Sequence, residues 1–153
     1  MSGRIYTTSF QGVAATVVQD IFELTAPSTG MFRILSAHLS QESDEADAQA
    51  EMLPLQWTRY ATSGSGGSTP TENPHLVGNA ATGVTTEANN TTQGGTPTVI
   101  WASGWNVQIP WIYQPSPQEY IWVPPSGIIV LEMPSAPADS LTLSGSVTYE
   151  EVD

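Results

Sequence analysis

The sequence predicts an all-β fold: a jelly-roll-like β-sandwich or barrel of about 8–9 short strands with one long loop-rich excursion. Three observations predict it. Short runs of β-branched and aromatic residues recur between Gly, Pro, Asn and Ser turn signals. Apolar residues alternate at period two, most clearly at the end of the chain. There Leu141, Leu143, Gly145, Val147 and Tyr149 fall on one side, and Thr142, Ser144, Ser146 and Thr148 on the other. Helical periodicity is confined to residues 43–51, where Ser43 can cap and Asp44 and Glu45 suit a first turn.

The elements follow in order. Residues 5–10 open a strand rich in aromatic and β-branched side chains, and residues 21–25 form a second. After the turn around Pro27 and Gly30, residues 31–40 place Phe32 and Ile34 on one face and Leu35, Ala37 and Leu39 on the other. In residues 53–60, Leu53, Leu55 and Trp57 recur at period two, and Pro54 marks an edge or a bulge. Strands resume at 98–102, 106–112 and 120–123. The turn Pro124-Pro125-Ser126-Gly127 then leads to a dense apolar run at 128–133 and a last strand at 141–152. Within these runs Trp101 and Trp122 read as core.

Residues 62–97 differ in character. They carry Ser-Gly-Ser-Gly-Gly-Ser, three prolines and many Thr and Asn residues, with one short strand expected at 84–88. Loops of such length in a compact domain are functional or disordered. This one has too little apolar content to offset an ordering entropy of roughly 1–2 kcal/mol per residue. The expectation is therefore a segment ordered mainly by contacts outside its own domain. Residues 1–12 have two readings, an N-terminal arm or a central strand. The 153 residues as a whole form one domain, 1–153.

Composition excludes several functions. The net charge is −12, from 15 acidic residues against Arg4, Arg33 and Arg59. Nucleic-acid binding needs clustered cations, so no nucleic acid is expected as a partner. An anionic membrane surface is disfavoured for the same reason, and no apolar run approaches the length of a membrane span. The absence of cysteine removes disulfides, thiolate zinc sites and cysteine nucleophiles. Met1-Ser2-Gly3-Arg4 leads straight into a strand-like run without an apolar leader, so cytoplasmic synthesis is expected.

No pattern points to catalysis, a cofactor or a metal. His38 and His75 are isolated in sequence and read as structural or solvated. Gly64-Ser65-Gly66 belongs to the Gly/Ser tract and is not a nucleophile elbow. Glu42, Asp44, Glu45, Asp47 and Glu51 supply oxygen ligands, but they lack the spacing and glycine of a calcium loop and read as a solvated acidic turn. Paired glycosidase carboxylates would need two buried acids, and nothing in the sequence marks such a pair. The aromatic cluster from Trp101 to Trp122 is the richest feature. Trp105, Trp111 and Tyr113, set beside Gly, Asn, Pro and Gln, are candidates for a subunit or partner contact. Ile5, Tyr6 and Phe10 are the candidate anchors of an N-terminal arm.

The chain resembles small proteins encoded among the head genes of tailed bacteriophages and prophages. The resemblance rests on Gly3-Arg4-Ile5-Tyr6-Thr7 with Phe10 and Gly12, on Asp20-Ile21-Phe22-Glu23-Leu24 and on Arg33-Ile34-Leu35. It extends to Gln41-Glu42-Ser43-Asp44, Asp47-Ala48-Gln49, Glu51-Met52-Leu53, Ser63-Gly64-Ser65-Gly66-Gly67 and Ala136-Pro137-Ala138-Asp139-Ser140-Leu141. It implies a capsid decoration, or cement, protein: a non-enzymatic virion component on the outer head surface. The implied partners are the major capsid protein and further copies of the chain, with a trimer favoured. Two alternatives stand beside it. One is a tail- or fibre-associated β domain binding host glycan through Trp105, Trp111 and Tyr113. The other is a free glycan-binding module or hydrolase.

Overall fold

A computed structural model describes residues 3–42 and 51–152. Among these the chain is almost wholly strand. Eleven strands form two antiparallel sheets, with one short 3-10 turn at Pro117–Glu119. The first sheet has the order β5 (Glu72–Pro74), β1 (Arg4–Ala15), β11 (Leu141–Val152), β3 (Met31–Gln41), β8 (Trp111–Tyr113), and β9 (Ile121–Val123) also pairs with β3. The second has the order β6 (Thr85–Asn90), β2 (Gln19–Thr25), β10 (Ile128–Met133), β4 (Met52–Tyr60), β7 (Thr98–Asn106).

This order follows from one long ribbon folded over on itself. The first four strands pair with the later ones in reverse: β1 with β11, β2 with β10, β3 with β9 and β8, and β4 with β7. Successive pairs alternate between the sheets, which is the jelly-roll arrangement. The tip of the ribbon is the stretch between β4 and β7, the loop-rich excursion.

The core lies between the sheets. Strand β11 shows the alternation the sequence announced, with Leu141, Leu143, Val147 and Tyr149 fully buried. Trp57, Trp105, Tyr6, Tyr149, Phe22 and Phe32 are the largest buried side chains. Burying each of them stabilises the fold by roughly 1.5–3 kcal/mol relative to exposure.

Residues 4–15 are an interior strand, flanked by β5 and β11. Of the two readings for the start of the chain, the strand describes it. The strand expected at 106–112 is interrupted: residues 107–110 form a turn between β7 and β8. Asn106 accepts the amide of Gln108 through its side chain and that of Ile109 through its carbonyl, which stops the ladder. The helix expected at 43–51 falls on residues 43–50, outside the described residues. The strand not expected from the sequence is β5, three residues long within the excursion.

The excursion overturns its expectation. It is tied to its own domain chiefly by backbone pairing, with Val84 and Ala88 buried in the core as well. Strand β5 extends the first sheet beside β1, and β6 extends the second beside β2. Thr86 Oγ1 donates to Glu72 (2.5 Å) and joins these two edges. Ser65 pairs with Thr92 and Ser68 with Ala88. The glycines here permit close approach. A Cβ on Gly64 would lie 2.6 Å from the Thr92 carbonyl, and one on Gly67 would run into that of Ala88.

Candidate functional site

The six candidate contact residues are mostly inside. Tyr6 is buried, stacks on Tyr149 at 5.7 Å and donates its hydroxyl to the Ala80 carbonyl (2.8 Å). Phe10 is half-buried against Phe22, and Ile5 is half-buried. Trp105 is buried, with its indole N–H donating to the Ile109 carbonyl (2.7 Å). Trp111 donates to Ser103 Oγ (3.1 Å), and Tyr113 packs edge-on to Trp57 and Trp101. Burial raises the Tyr113 phenol pKa, and the nearby Glu119 charge adds to it.

The two tryptophans read as core are the ones at the surface. Trp101 on β7 is 37% exposed, and Trp122 on β9 is 43% exposed. The reason is position in the strand order. Strands β7, β8 and β9 lie at the sheet margins, and in a three-residue strand only one face turns inward. Trp111 and Tyr113 point inward, so Ile112 between them points out, 62% exposed. Ile121 and Val123 do the same to Trp122. With Val99 and Ile109, these residues make one lateral edge apolar and aromatic.

A cleft of about 290 Å3 lies on this edge, lined by Trp101, Ile112, Tyr113, Gln114, Pro115 and Glu119. Beside it the Arg33 guanidinium sits 5.0 Å from the ring centroids of both Tyr120 and Trp122 and pairs with Glu150 (2.5 Å). The edge thus offers flat aromatic area with a few polar groups, suited to burying protein surface or to stacking a ring.

A wider groove of about 420 Å3 crosses the outer face of the first sheet and includes His38, Ser40, Ser144 and Glu42. Ser144 Oγ donates to Glu42 (2.6 Å) and accepts the Gly12 amide (3.1 Å). Its hydroxyl therefore fastens the bulge in β1. His75 is hydrogen-bonded to Thr7 (2.7 Å).

A third feature was not marked by the sequence reading. Asp20, Glu23 and Glu132 are all buried on the outer face of the second sheet, beneath the excursion. A bulge at Ile21 puts Asp20 directly opposite Glu132. Glu132 accepts Gln56 (2.6 Å), Thr58 (2.5 Å), Tyr60 (2.7 Å) and Gln93 (2.8 Å). Glu23 accepts the Gly64 amide (2.8 Å), and Asp20 Oδ1 accepts Gln93 (3.4 Å). Asp20 Oδ2 is buried without a partner. Burial foremost, then the Glu132 charge, raises the Asp20 pKa to about 7. Burial and Glu132 likewise push the Tyr60 phenol up. The signal available in the sequence was three acids inside dense apolar β runs, where charged residues are rare unless paired. Among the described residues no three His, Cys, Asp or Glu groups could hold a metal ion, and no helix is long and apolar enough to cross a membrane.

Comparison with known protein families, protein sequences and solved structures finds no match.

Proposed function

We propose that the chain is a non-enzymatic virion structural protein, a capsid decoration protein that binds the outer surface of an assembled head and stabilises it. The observation that carries this reading is the apolar edge of β7, β8 and β9, where Trp101, Ile112 and Trp122 stand exposed on a rigid jelly-roll body. Aromatic side chains on fixed strands are efficient anchors, because little conformational entropy is lost when they are covered. A protein that binds the assembled lattice and not its separated subunits stabilises the lattice by mass action. On this reading the major capsid protein takes the aromatic edge. Copies of the chain associate as trimers through other surfaces, and the protein made in the host cytoplasm ends on the virion. The resemblance to phage head proteins supports the same role.

The test is direct. Purified protein is added to undecorated heads, and bound protein and head survival on heating are measured for the native chain and for a Trp101→Ser, Trp122→Ser double variant. Saturable binding with heat protection, lost in the folded double variant, supports the proposal. Saturable binding unchanged by the double variant refutes the edge assignment, and absence of binding by the native chain refutes the role. Light scattering of the free protein tests the trimer.

The cleft favours one second reading: a tail- or fibre-associated domain, or a glycan-binding module. A sugar ring would stack on Trp101, with Gln114 and Glu119 as polar partners. Glycan-array binding without head binding would select it.

A further inference from the structure

We infer that Asp20, Glu23 and Glu132, with the excursion folded over them, form a proton-dependent latch: the excursion is held against the second sheet while the cluster carries a proton and loosens when that proton leaves. This goes beyond the decoration role and does not depend on it.

Asp20 and Glu132 are direct cross-strand partners, a placement in which like charges repel. Asp20 Oδ2 and Glu23 Oε2 lie 3.1 and 3.2 Å from the point where a Cβ on Gly64 would sit, and the Thr92 carbonyl lies 2.6 Å from it. All three are acceptors. Asp20 Oδ2 has no hydrogen-bond partner, so as a carboxylate oxygen it is a buried acceptor left unsatisfied, whereas its protonated form brings a donor among neighbouring acceptors. A proton on Asp20 Oδ2 supplies that donor and removes one of three adjacent charges.

Among the described residues the surroundings offer no cation in its place. The neighbouring charged group on β2 is Glu23, and on β10 it is Glu132. Strand β4 presents Gln56, Thr58 and the Tyr60 phenol, all donating to Glu132. Strand β6 presents Asn90, which donates to Glu87 (2.8 Å) and Glu23 (3.5 Å). The excursion presents Gln93 and the Gly64 amide. The chain's arginines are engaged elsewhere: Arg4 with Glu151, Arg33 with Glu150, and Arg59 with the Trp122 carbonyl.

The same groups hold the excursion. Gln93 bridges Asp20 and Glu132, and Gly64 is anchored on Glu23. The side chains of Tyr60, Ile128 and Val130 form a small apolar cluster on the same face. A cleft of about 170 Å3 with Glu23, Thr25, Ser63, Thr85 and Glu87 in its wall reaches the edge of the cluster at Glu23. The raised Asp20 pKa, about 7, places proton loss near neutral pH.

The experiment measures amide hydrogen exchange as protection factors, which remove the intrinsic pH dependence, at pH 5.5 and pH 8.5. The amides of Gly64, Ser65, Ser68 and Thr92 should lose at least about tenfold protection at the higher pH relative to β11, which should hold. Carbon-13 NMR should follow Asp20 through a midpoint within about one unit of 7 in the native protein. In Asp20→Asn, an uncharged donor, protection of the same amides should be independent of pH. A native midpoint below pH 5, or equal protection at both pH values, overturns the latch. Recovery of protection at pH 8.5 on adding calcium also overturns it, since the cluster would then be a cation site.

Discussion

The two lateral edges of the sandwich are built from opposite materials. At one, β5 and β6 cap β1 and β2, and Thr86, Glu72, Gly83 and Glu151 stitch the sheets together through polar groups. At the other, β7, β8 and β9 end their sheets and present Val99, Trp101, Ile112 and Trp122 to solvent. The first edge is polar in composition yet closed, and the second is apolar yet open. Strand order, not local composition, decides which side chains are covered. A closed polar edge stabilises the domain from within, whereas an open aromatic edge gains stability only by meeting another surface.

Deletion should do the most damage at the closed edge. Removing residues 2–10 deletes the half of β1 that pairs with β5 and carries Tyr6. The truncated chain should show no cooperative unfolding transition by circular dichroism, and a folded truncation would mean that this edge is dispensable. Trp57→Ala, at the centre of the core, should cost about 3–5 kcal/mol in urea unfolding.

A smaller effect is expected beneath the excursion. Glu132→Ala strands four donors and should cost about 3 kcal/mol, offset in part by relief of its repulsion with Asp20. The same variant should lower the midpoint of Asp20 titration. The pH dependence has a definite sign. The Asp20 pKa is raised in the folded state, from 3.8 to about 7. Its contribution is therefore fully present below about pH 4 and is lost as pH rises to about 7, by up to about 1.4 kcal/mol per pH unit. The stability difference between native protein and Asp20→Asn, measured across that range, should show this slope and then level off.

At the open edge the effect on stability should be least. Trp122→Ser forfeits contact with Arg33, on the order of 0.5–1 kcal/mol. Its unfolding midpoint should move little, while binding to heads should fall at least about tenfold.

Much of the fold was legible because strands declare themselves through alternation, as β11 does, and through turn residues, as at Pro124–Gly127. The jelly-roll order was legible only as a class, since which strands pair depends on contacts distant in sequence. The candidate site was less legible for the same reason. Trp105 and Trp111 sit among polar neighbours yet turn inward, while Trp101 and Trp122 sit among apolar ones at sheet margins. Strand β5 was hidden because its Glu-Asn-Pro sequence has no strand propensity and its place comes from pairing with β1. The acid cluster depends on the bulge at Ile21, which changes the face of Asp20 and leaves no local pattern.

The measurement that bears most directly on the two-edge account is a hydrogen-exchange footprint of the protein bound to undecorated heads. New protection is expected in residues 98–106, 111–113 and 121–123, with residues 61–97 unchanged from the free protein at the same pH. Protection gained within residues 61–97 alone, with the aromatic edge still exchanging freely, would contradict it.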